Sequence, residues 1–399
     1  MRVLAGLLGS ILLAGLALAC AARTGSARQD VNGVVLVADD VATAKNAGDL
    51  VPTTLGVPPG FGATPQAVRL PTGFSISLVA AGLSAPRFLL IDPANNLLVA
   101  DMGSGRVYRF TAADLPAARP PAPLLSGLDA PSSLAFRDGW LYVGETTAIS
   151  RFTYDPASGT VGPREVVVPE LPRGGHSTRT VVFGSDGAMY VSVGSSCNIC
   201  DERDERRAAV ARYNPDGSGY QLFATGLRNA VGLAVQPGTG LLWATVNERD
   251  NQGNEIPPDL VTIVRQGNNF GWPGCQPPYA VPEEPGHDCS AITPPTVGIQ
   301  AHSAPLGLAF STGQAFPSDY VGDLFVAQHG SWNRTPPAEP KLVRIHFDAG
   351  VPVQVQDFAI GWQDQTGARW GRPVGVVVAP DGGLIVSDDQ AGWLYKISR

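Results

Sequence analysis

His176 lies in Gly174-Gly175-His176-Ser177-Thr178-Arg179, immediately ahead of an apolar stretch, where an imidazole has the chemistry to take a hydroxyl proton near neutral pH. The plain alternative is a loop histidine whose ring nitrogens are satisfied by backbone. Arg228-Asn229 precedes a second apolar stretch, His329-Gly330-Ser331-Trp332-Asn333-Arg334 ends a third, and Arg372 precedes a fourth. Singly, each arginine reads as half of a surface ion pair. Gathered at equivalent points of a repeat, they describe a pocket for a polyanionic ligand, because the planar guanidinium group grips carboxylates bidentately. Glu248-Arg249-Asp250-Asn251-Gln252-Gly253-Asn254-Glu255 is dense in the oxygen ligands calcium prefers, yet lacks EF-hand spacing, so a solvated charged loop remains the other reading.

Other chemistries are missing their signatures. The sequence holds no G-x-S-x-G elbow, H-E-x-x-H pair, phosphate-binding Walker loop or dinucleotide fingerprint between a strand and a helix. The five histidines, His176, His287, His302, His329 and His346, are too scattered for a multi-histidine metal site. Beyond Cys20 stand Cys197, Cys200, Cys275 and Cys289, an even set that suits two local disulfides, Cys197–Cys200 and Cys275–Cys289, in an oxidising compartment. Asp201 comes after Cys200 where haem attachment would need histidine, and no βαβ pattern supports a thioredoxin-like role. Zinc held by the four thiols is the competing arrangement, disfavoured by the wide second spacing.

The elements that must position these residues are framed by composition. Of 399 residues, 28 are Lys or Arg and 35 Asp or Glu; 16% are charged and the net charge is -7, which excludes a disordered chain, a coiled coil and a nucleic-acid binder. Residues 1–19 read as a signal peptide, with Arg2 ahead of an apolar run from Val3 to Ala19 that is short for a membrane span. Ala17-Leu18-Ala19-Cys20 resembles a bacterial lipoprotein box, in which Cys20 becomes the lipidated N-terminus; ordinary secretion with cleavage after Ala19 fits the same residues. The expected product is exported, periplasmic or at the cell surface, and held to a membrane by that lipid alone. Residues 20–65 lack periodicity and read as a tether.

From residue 66 to 399 one unit recurs: a small residue or proline, an apolar strand, a turn often of Asp-Gly type, a second apolar strand and a return strand. Copies start at Pro86, Pro131, Thr178, Ala230, Pro305 and Pro373. Spacings of 45, 47 and 52 residues match four-stranded propeller blades, and spacings of 75 and 68 place insertions in the fourth and fifth units. The expectation is an all-β, six-bladed β-propeller of antiparallel four-stranded blades. Gly73-Phe74-Ser75-Ile76-Ser77-Leu78-Val79 is a spare strand able to complete the last blade and pin both chain ends.

GGHSTRTVVFGSDGAMYVSVGSSCNIC, GLRNAVGLAV, GNNFGWP, GDLFVAQHGSWNR and GRPVGVVVAPDG, in that order, resemble the sorbosone dehydrogenase branch of the soluble quinoprotein sugar dehydrogenases, from about Gly73 to Arg399. The resemblance implies a six-bladed propeller that binds pyrroloquinoline quinone (PQQ) and calcium and oxidises a sugar, polyol or aldehyde. It implies His176 as general base, Arg228 and Asn229 beside the quinone carbonyls, and Arg87 and Arg372 facing cofactor carboxylates. It puts His329, Trp332, Asn333 and Arg334 in the quinone pocket, and the backbone carbonyls of Arg249 and Asp250 on calcium. Glucose-oxidising relatives orient the base with an aspartate where this chain has Ser195, so Asp201 or Glu248 must substitute or the base is weaker. A lysine of those relatives is replaced by His329, and their second arginine near the last blade falls on Val374. With no appended haem domain, electrons leave to a separate acceptor, a quinone or a cytochrome. A calcium-dependent lactonase and a non-catalytic propeller that binds glycans or proteins are the rival functions.

Overall fold

In the sixth repeat, Pro373–Val378 is rich in β-branched residues that favour an extended chain. It turns through Pro380-Asp381-Gly382, where Gly382 takes φ 88° and donates its N–H to Ala379 O at 2.8 Å, before Leu384–Asp388 runs back. The structure, a computed structural model, describes residues 50–276, 281–282, 288–313 and 315–399. The signal peptide, Cys20 and the tether up to residue 49 lie outside the described residues, as does His287.

The hairpins grow into six antiparallel blades. Their innermost strands are Pro86–Ile91, Ser133–Arg137, Arg179–Phe183, Ala230–Val235, Pro305–Phe310 and Pro373–Val378. The second strands Leu97–Asp101, Met189–Val193, Leu242–Val246, Leu324–Gln328 and Leu384–Asp388 are buried along their whole length, because neighbouring blades cover both faces. The last blade is completed by Ser75–Ala80, paired antiparallel with Trp393–Ser398, so the spare strand closes the ring as its sequence suggests. The insertion in the fourth unit reaches sideways: Asn268–Asn269 pairs parallel with Gln221–Thr225 of the third blade. Residues 50–65 are not all tether, since Leu50–Thr54 forms an antiparallel hairpin with Ala67–Pro71. Leu55, Val68 and Leu70 of this hairpin are buried in the cluster between the fifth and sixth blades.

Four inner strands carry a β-bulge near their start, at Arg87-Phe88, Val231-Gly232, Leu306-Gly307 and Val374-Gly375. A bulge re-aims a side chain, and here Phe88, Val231, Leu306 and Val374 form one buried cluster that draws on four blades. The glycine of each of three bulges lets neighbouring inner strands touch. A Cβ at Gly232, Gly307 or Gly375 would lie 2.1, 2.6 or 2.6 Å from the carbonyl oxygen of Leu306, Val374 or Arg87 in the next blade.

Candidate functional site

Strand register sets the site. The first residue of each inner strand faces the end of the second strand: Arg179 pairs Val193, Ala230 pairs Val246, Pro305 pairs Gln328 and Pro373 pairs Asp388. The residues just before an inner strand and those just after the second strand therefore meet at the same end of the blade. His176 meets Ser195, Arg228-Asn229 meets the loop from Asn247 to Asp250, and Arg372 reaches the segment after Gln328.

His176 places Nδ1 3.0 Å from Ser195 O and 3.1 Å from Ser195 Oγ. The Ser195 hydroxyl donates to Cys197 O at 2.7 Å. A carbonyl oxygen can only accept, so the imidazole carries its proton on Nδ1 and keeps the Nε2 lone pair. Burial pushes this histidine down to about 4, reinforced by the charges of Arg228 and Arg207 and opposed by the Ser195 hydrogen bond and Asp250. Neither acid expected to replace the missing aspartate touches the ring. Ser195 itself takes that place, and buried Glu248 faces Arg249 Nε at 3.4 Å.

Arg228 is buried and fully engaged: Nε bonds Asn198 O at 3.1 Å, Nη1 bonds Glu248 O at 2.6 Å, and Nη2 bonds Asn198 Oδ1 at 3.0 Å and Asp250 Oδ2 at 2.8 Å. Asn198, inside the Cys197–Cys200 disulfide loop, also accepts from Asp250 N at 2.7 Å and donates to Asp250 O at 2.9 Å. It is the hub of this half of the site. Asn229 is buried with Oδ1 unpaired, and a Cβ on Gly194 would lie 2.3 Å from that oxygen and 2.7 Å from His176 Cβ. Only glycine lets the His176 side chain and the Asn229 amide share that space.

A second group lies around Asp389, just past the last blade's second strand. Its Oδ2 is 2.7 Å from Arg87 Nη1 and its Oδ1 is 2.7 Å from His329 Nε2. Burial works to raise this carboxyl, but hydrogen bonds and charges from His329 and Arg87 outweigh it and hold it below its ordinary value. Burial lowers His329 to about 4 against the pull of Asp389. Arg372 donates Nε to His329 O at 2.9 Å and Nη2 to Gly330 O at 3.2 Å. The segment 329–334 joins the two groups: Asn333 Nδ2 bonds Asp250 Oδ1 at 2.8 Å, and Arg334 bonds Asn254 O and, at 2.7 Å, Glu255 Oε1.

Trp332 and the side chains of Arg249 and Val374 lie apart from these two groups. Trp332 is 74% exposed, outside any buried pocket. The Arg249 side chain turns to Pro273 O at 3.3 Å and Cys275 O at 2.7 Å, beside the Cys275–Cys289 disulfide. Val374, at the position of the second arginine of glucose-oxidising relatives, is in the apolar cluster of the inner-strand bulges. In the backbone of this loop, Asp250 O accepts from Asn198 Nδ2 at 2.9 Å and the carbonyls of Asn247 and Glu248 accept from Arg228, each through one of its two lone pairs. Among the described residues, one trio of potential metal ligands is close enough to share an ion, Cys197, Cys200 and Glu202, and its sulfurs are bonded to each other.

The polar atoms of this site fit a ligand that carries both negative charge and hydrogen-bond donors. Asn229 Oδ1, Asn333 Oδ1 and Arg87 Nε are buried without a hydrogen-bond partner, and guanidinium groups come from the first, fourth and sixth blades. Asp389 and Asn198 escape sequence reading as single residues. Asp389 is flagged only by its repeat position, the same as that of His329, and Asn198 only by lying between two cysteines.

Fold and site together define a class: six-bladed propellers with basic side chains of several blades and two neutral imidazoles, His176 and His329, at one face. The family model described as TrAA12-like matches residues 68–288 and 279–399, and the chain belongs to that family. A pyrroloquinoline quinone-dependent sugar dehydrogenase of Hypocrea jecorina (strain QM6a) is 27% identical over 302 residues, covering 60% of this chain and 69% of the relative. A pyrroloquinoline quinone-dependent pyranose dehydrogenase of Coprinopsis cinerea is 26% identical over 420 residues, covering 83% of this chain, which spans 54% of that relative's length. The calcium structure of the Trichoderma reesei carbohydrate-active enzyme of family AA12 superimposes with a TM-score of 0.73 at 22% identity, covering 86% of this chain and 99% of that one, a likeness of fold.

Proposed function

We propose that the protein is a PQQ-dependent oxidoreductase acting on a sugar, a polyol or a sugar-derived aldehyde of the sorbosone type. The observation that carries the reading is the neutral His176, its Nε2 lone pair kept by the Ser195 contact, beside the unpaired Asn229 oxygen and the Arg228 guanidinium. Pyrroloquinoline quinone supplies, when bound, an acceptor for a hydride. Arg87 and Arg372 would hold its carboxylates, Arg228 and Asn229 would lie beside its quinone carbonyls, and His329, Asn333 and Arg334 would line the same pocket. His176 accepts the substrate hydroxyl proton at Nε2 as general base. Arg228, fixed in place by its bonds to Asn198, Glu248 O and Asp250, would bring positive charge near where negative charge develops. The electrons leave to a separate acceptor, a quinone or cytochrome, and Cys20 anchors the exported chain by lipid.

Two families of variants test this. Purified protein loaded with the quinone, with and without calcium, should reduce a dye in the presence of a sugar panel, with lactone hydrolysis as the control activity. His176→Ala should cost about 10²–10⁴-fold in dye reduction with quinone affinity nearly unchanged. Arg228→Ala or Arg372→Ala should instead weaken quinone retention. Unchanged affinity in both, or lactone hydrolysis without dye reduction, would sink the reading.

A further inference from the structure

The segment 172–178, which carries His176, pairs with no strand. Its His176 N–H donates to Ser195 O at 3.0 Å, and two arginine side chains hold the rest of its backbone. Arg207, from the turn before Ala209–Tyr213, donates Nη1 to Gly194 O at 3.1 Å and Nη2 to the carbonyls of Pro172, Arg173 and Gly174 at 3.0, 2.6 and 3.0 Å. Arg179, with 0% exposure, donates Nη1 to His176 O at 2.7 Å and Thr178 O at 2.9 Å, and Nη2 to Pro172 O at 2.5 Å. Both forks close on Pro172 O, so Gly194, the segment and the imidazole form one stitched unit.

All these acceptors are neutral carbonyls. The carboxylate facing Arg207 is Glu202, 3.9 Å from its Nε, and that acid also accepts from Ser196 N at 2.5 Å. Guanidinium groups buried without a hydrogen-bonded carboxylate are costly, and what these two organise is the backbone on either side of one imidazole. An arginine fork reaches several carbonyls at fixed angles, which a lysine ammonium on its flexible stem does not reproduce.

We propose that Arg207 and Arg179 are positioning residues for His176, their forks clamping the 172–178 segment so that Nδ1 stays on Ser195 O and the ring stays shielded from water. The proposal rests on the reading of His176 as the base. The charged groups that act on the ring are Arg228, Asp250 and Arg207, with Arg179 on its carbonyl and Ser195 on Nδ1. Burial is the largest cause of its low proton affinity. Loosening the clamp readmits water and raises that affinity.

The test is a histidine-ring NMR titration of the full-length, cofactor-free protein, with the His176 signal assigned by its loss in H176Q. In the native chain His176 should remain neutral down to about pH 5, consistent with the value of about 4. In R207K, which keeps the charge but not the fork, and in R207Q, the midpoint should rise by about one unit or more. R179K gives the same expectation should R207Q not fold. In the quinone-loaded enzyme the acid limb of kcat/KM should move by the same amount, whereas a contact that only stabilises the fold would lower Tm and leave the limb in place. A midpoint unchanged in R207K and R179K, or a shift in R207Q alone, would assign any effect to charge and overturn the clamp. Failure of the quinone reading would look different, as no cofactor uptake alongside the expected titration.

Discussion

At His176 the group that fixes the tautomer is a main-chain carbonyl, and a carbonyl neither titrates nor carries net charge. A carboxylate in its place would stabilise the imidazolium and raise the proton affinity of the ring; Ser195 offers only dipoles, so burial and Arg228 prevail and the ring sits at about 4. Stability is linked to the same ring. In the unfolded chain the imidazole has its ordinary value near 6.5, so between about pH 6.5 and pH 4 the unfolded state binds a proton that the fold refuses. Stability from this group is present above 6.5 and is lost as pH falls through that window. Denaturant unfolding at pH 7 and at pH 5 should therefore show H176Q losing less stability on acidification than the native chain; equal losses would mean the buried ring is not held neutral. His329, also lowered to about 4, titrates in the same direction and leaves part of the slope in the variant. His176, Arg228, Asn229 and Arg372 were legible from the sequence because each abuts an apolar strand at a repeated position. Arg207 was not, since Asp201-Glu202-Arg203-Asp204-Glu205-Arg206-Arg207 reads as a solvated charge run. Nothing local distinguishes Arg206, which pairs with Asp204 at 2.6 Å, from Arg207, which turns inward.

Two loops do the work of elements at this face. The four-residue disulfide loop presents Asn198 to Arg228 and Asp250, and its Cys197 O receives the Ser195 hydroxyl, so the staple ties the surroundings of His176 to Arg228. Both disulfide pairings were readable from the even count of locally spaced cysteines, and both are present. That one of them serves as a platform was not readable, because it depends on which way a short loop faces. The strand Met189–Val193 meets this platform through Gly194, whose missing side chain admits both His176 Cβ and Asn229 Oδ1. Gly194→Ala forces one of the two aside. Overpacking at such a contact costs about 1–3 kcal/mol, roughly 5- to 150-fold in an equilibrium. Quinone affinity measured by titration of the cofactor-free protein should fall by that order while Tm falls by only a few degrees. An affinity equal to that of the native chain would mean that Asn229 takes no part in holding the ligand.

The whole molecule is held by its seams. Six apolar clusters lie one between each pair of neighbouring blades, and alternate residues of one strand serve opposite seams: Leu97 and Val99 pack toward the sixth blade, Leu98 and Ala100 toward the second. Hydroxyl relays add to the inner ring. Thr245 Oγ1 accepts from Gly232 N at 2.8 Å and donates to Leu306 O at 2.6 Å, and Ser387 Oγ accepts from Gly375 N at 2.8 Å and donates to Arg87 O at 2.5 Å. The second relay ties the sixth blade to the first, and its acceptor is the backbone of Arg87, whose side chain pairs with Asp389. Blade number and closure were legible because a repeat of two apolar strands has unsatisfied edges that only a ring can pair. The hairpin Leu50–Thr54 with Ala67–Pro71 was not, since it has no partner copy in the repeat. The closing strand Ser75–Ala80 buries Ile76 and Leu78, worth about 1.5–3 kcal/mol each, and satisfies the edge of Trp393–Ser398. A chain begun at residue 82 should thus lose cooperative thermal unfolding and aggregate through that open edge, and with the seam loosened it should lose the position of Arg87 as well. Size-exclusion chromatography and calorimetry of this truncation read the outcome directly: a monomer with native Tm would mean that five complete blades and one three-stranded blade hold the ring without covalent continuity between its ends.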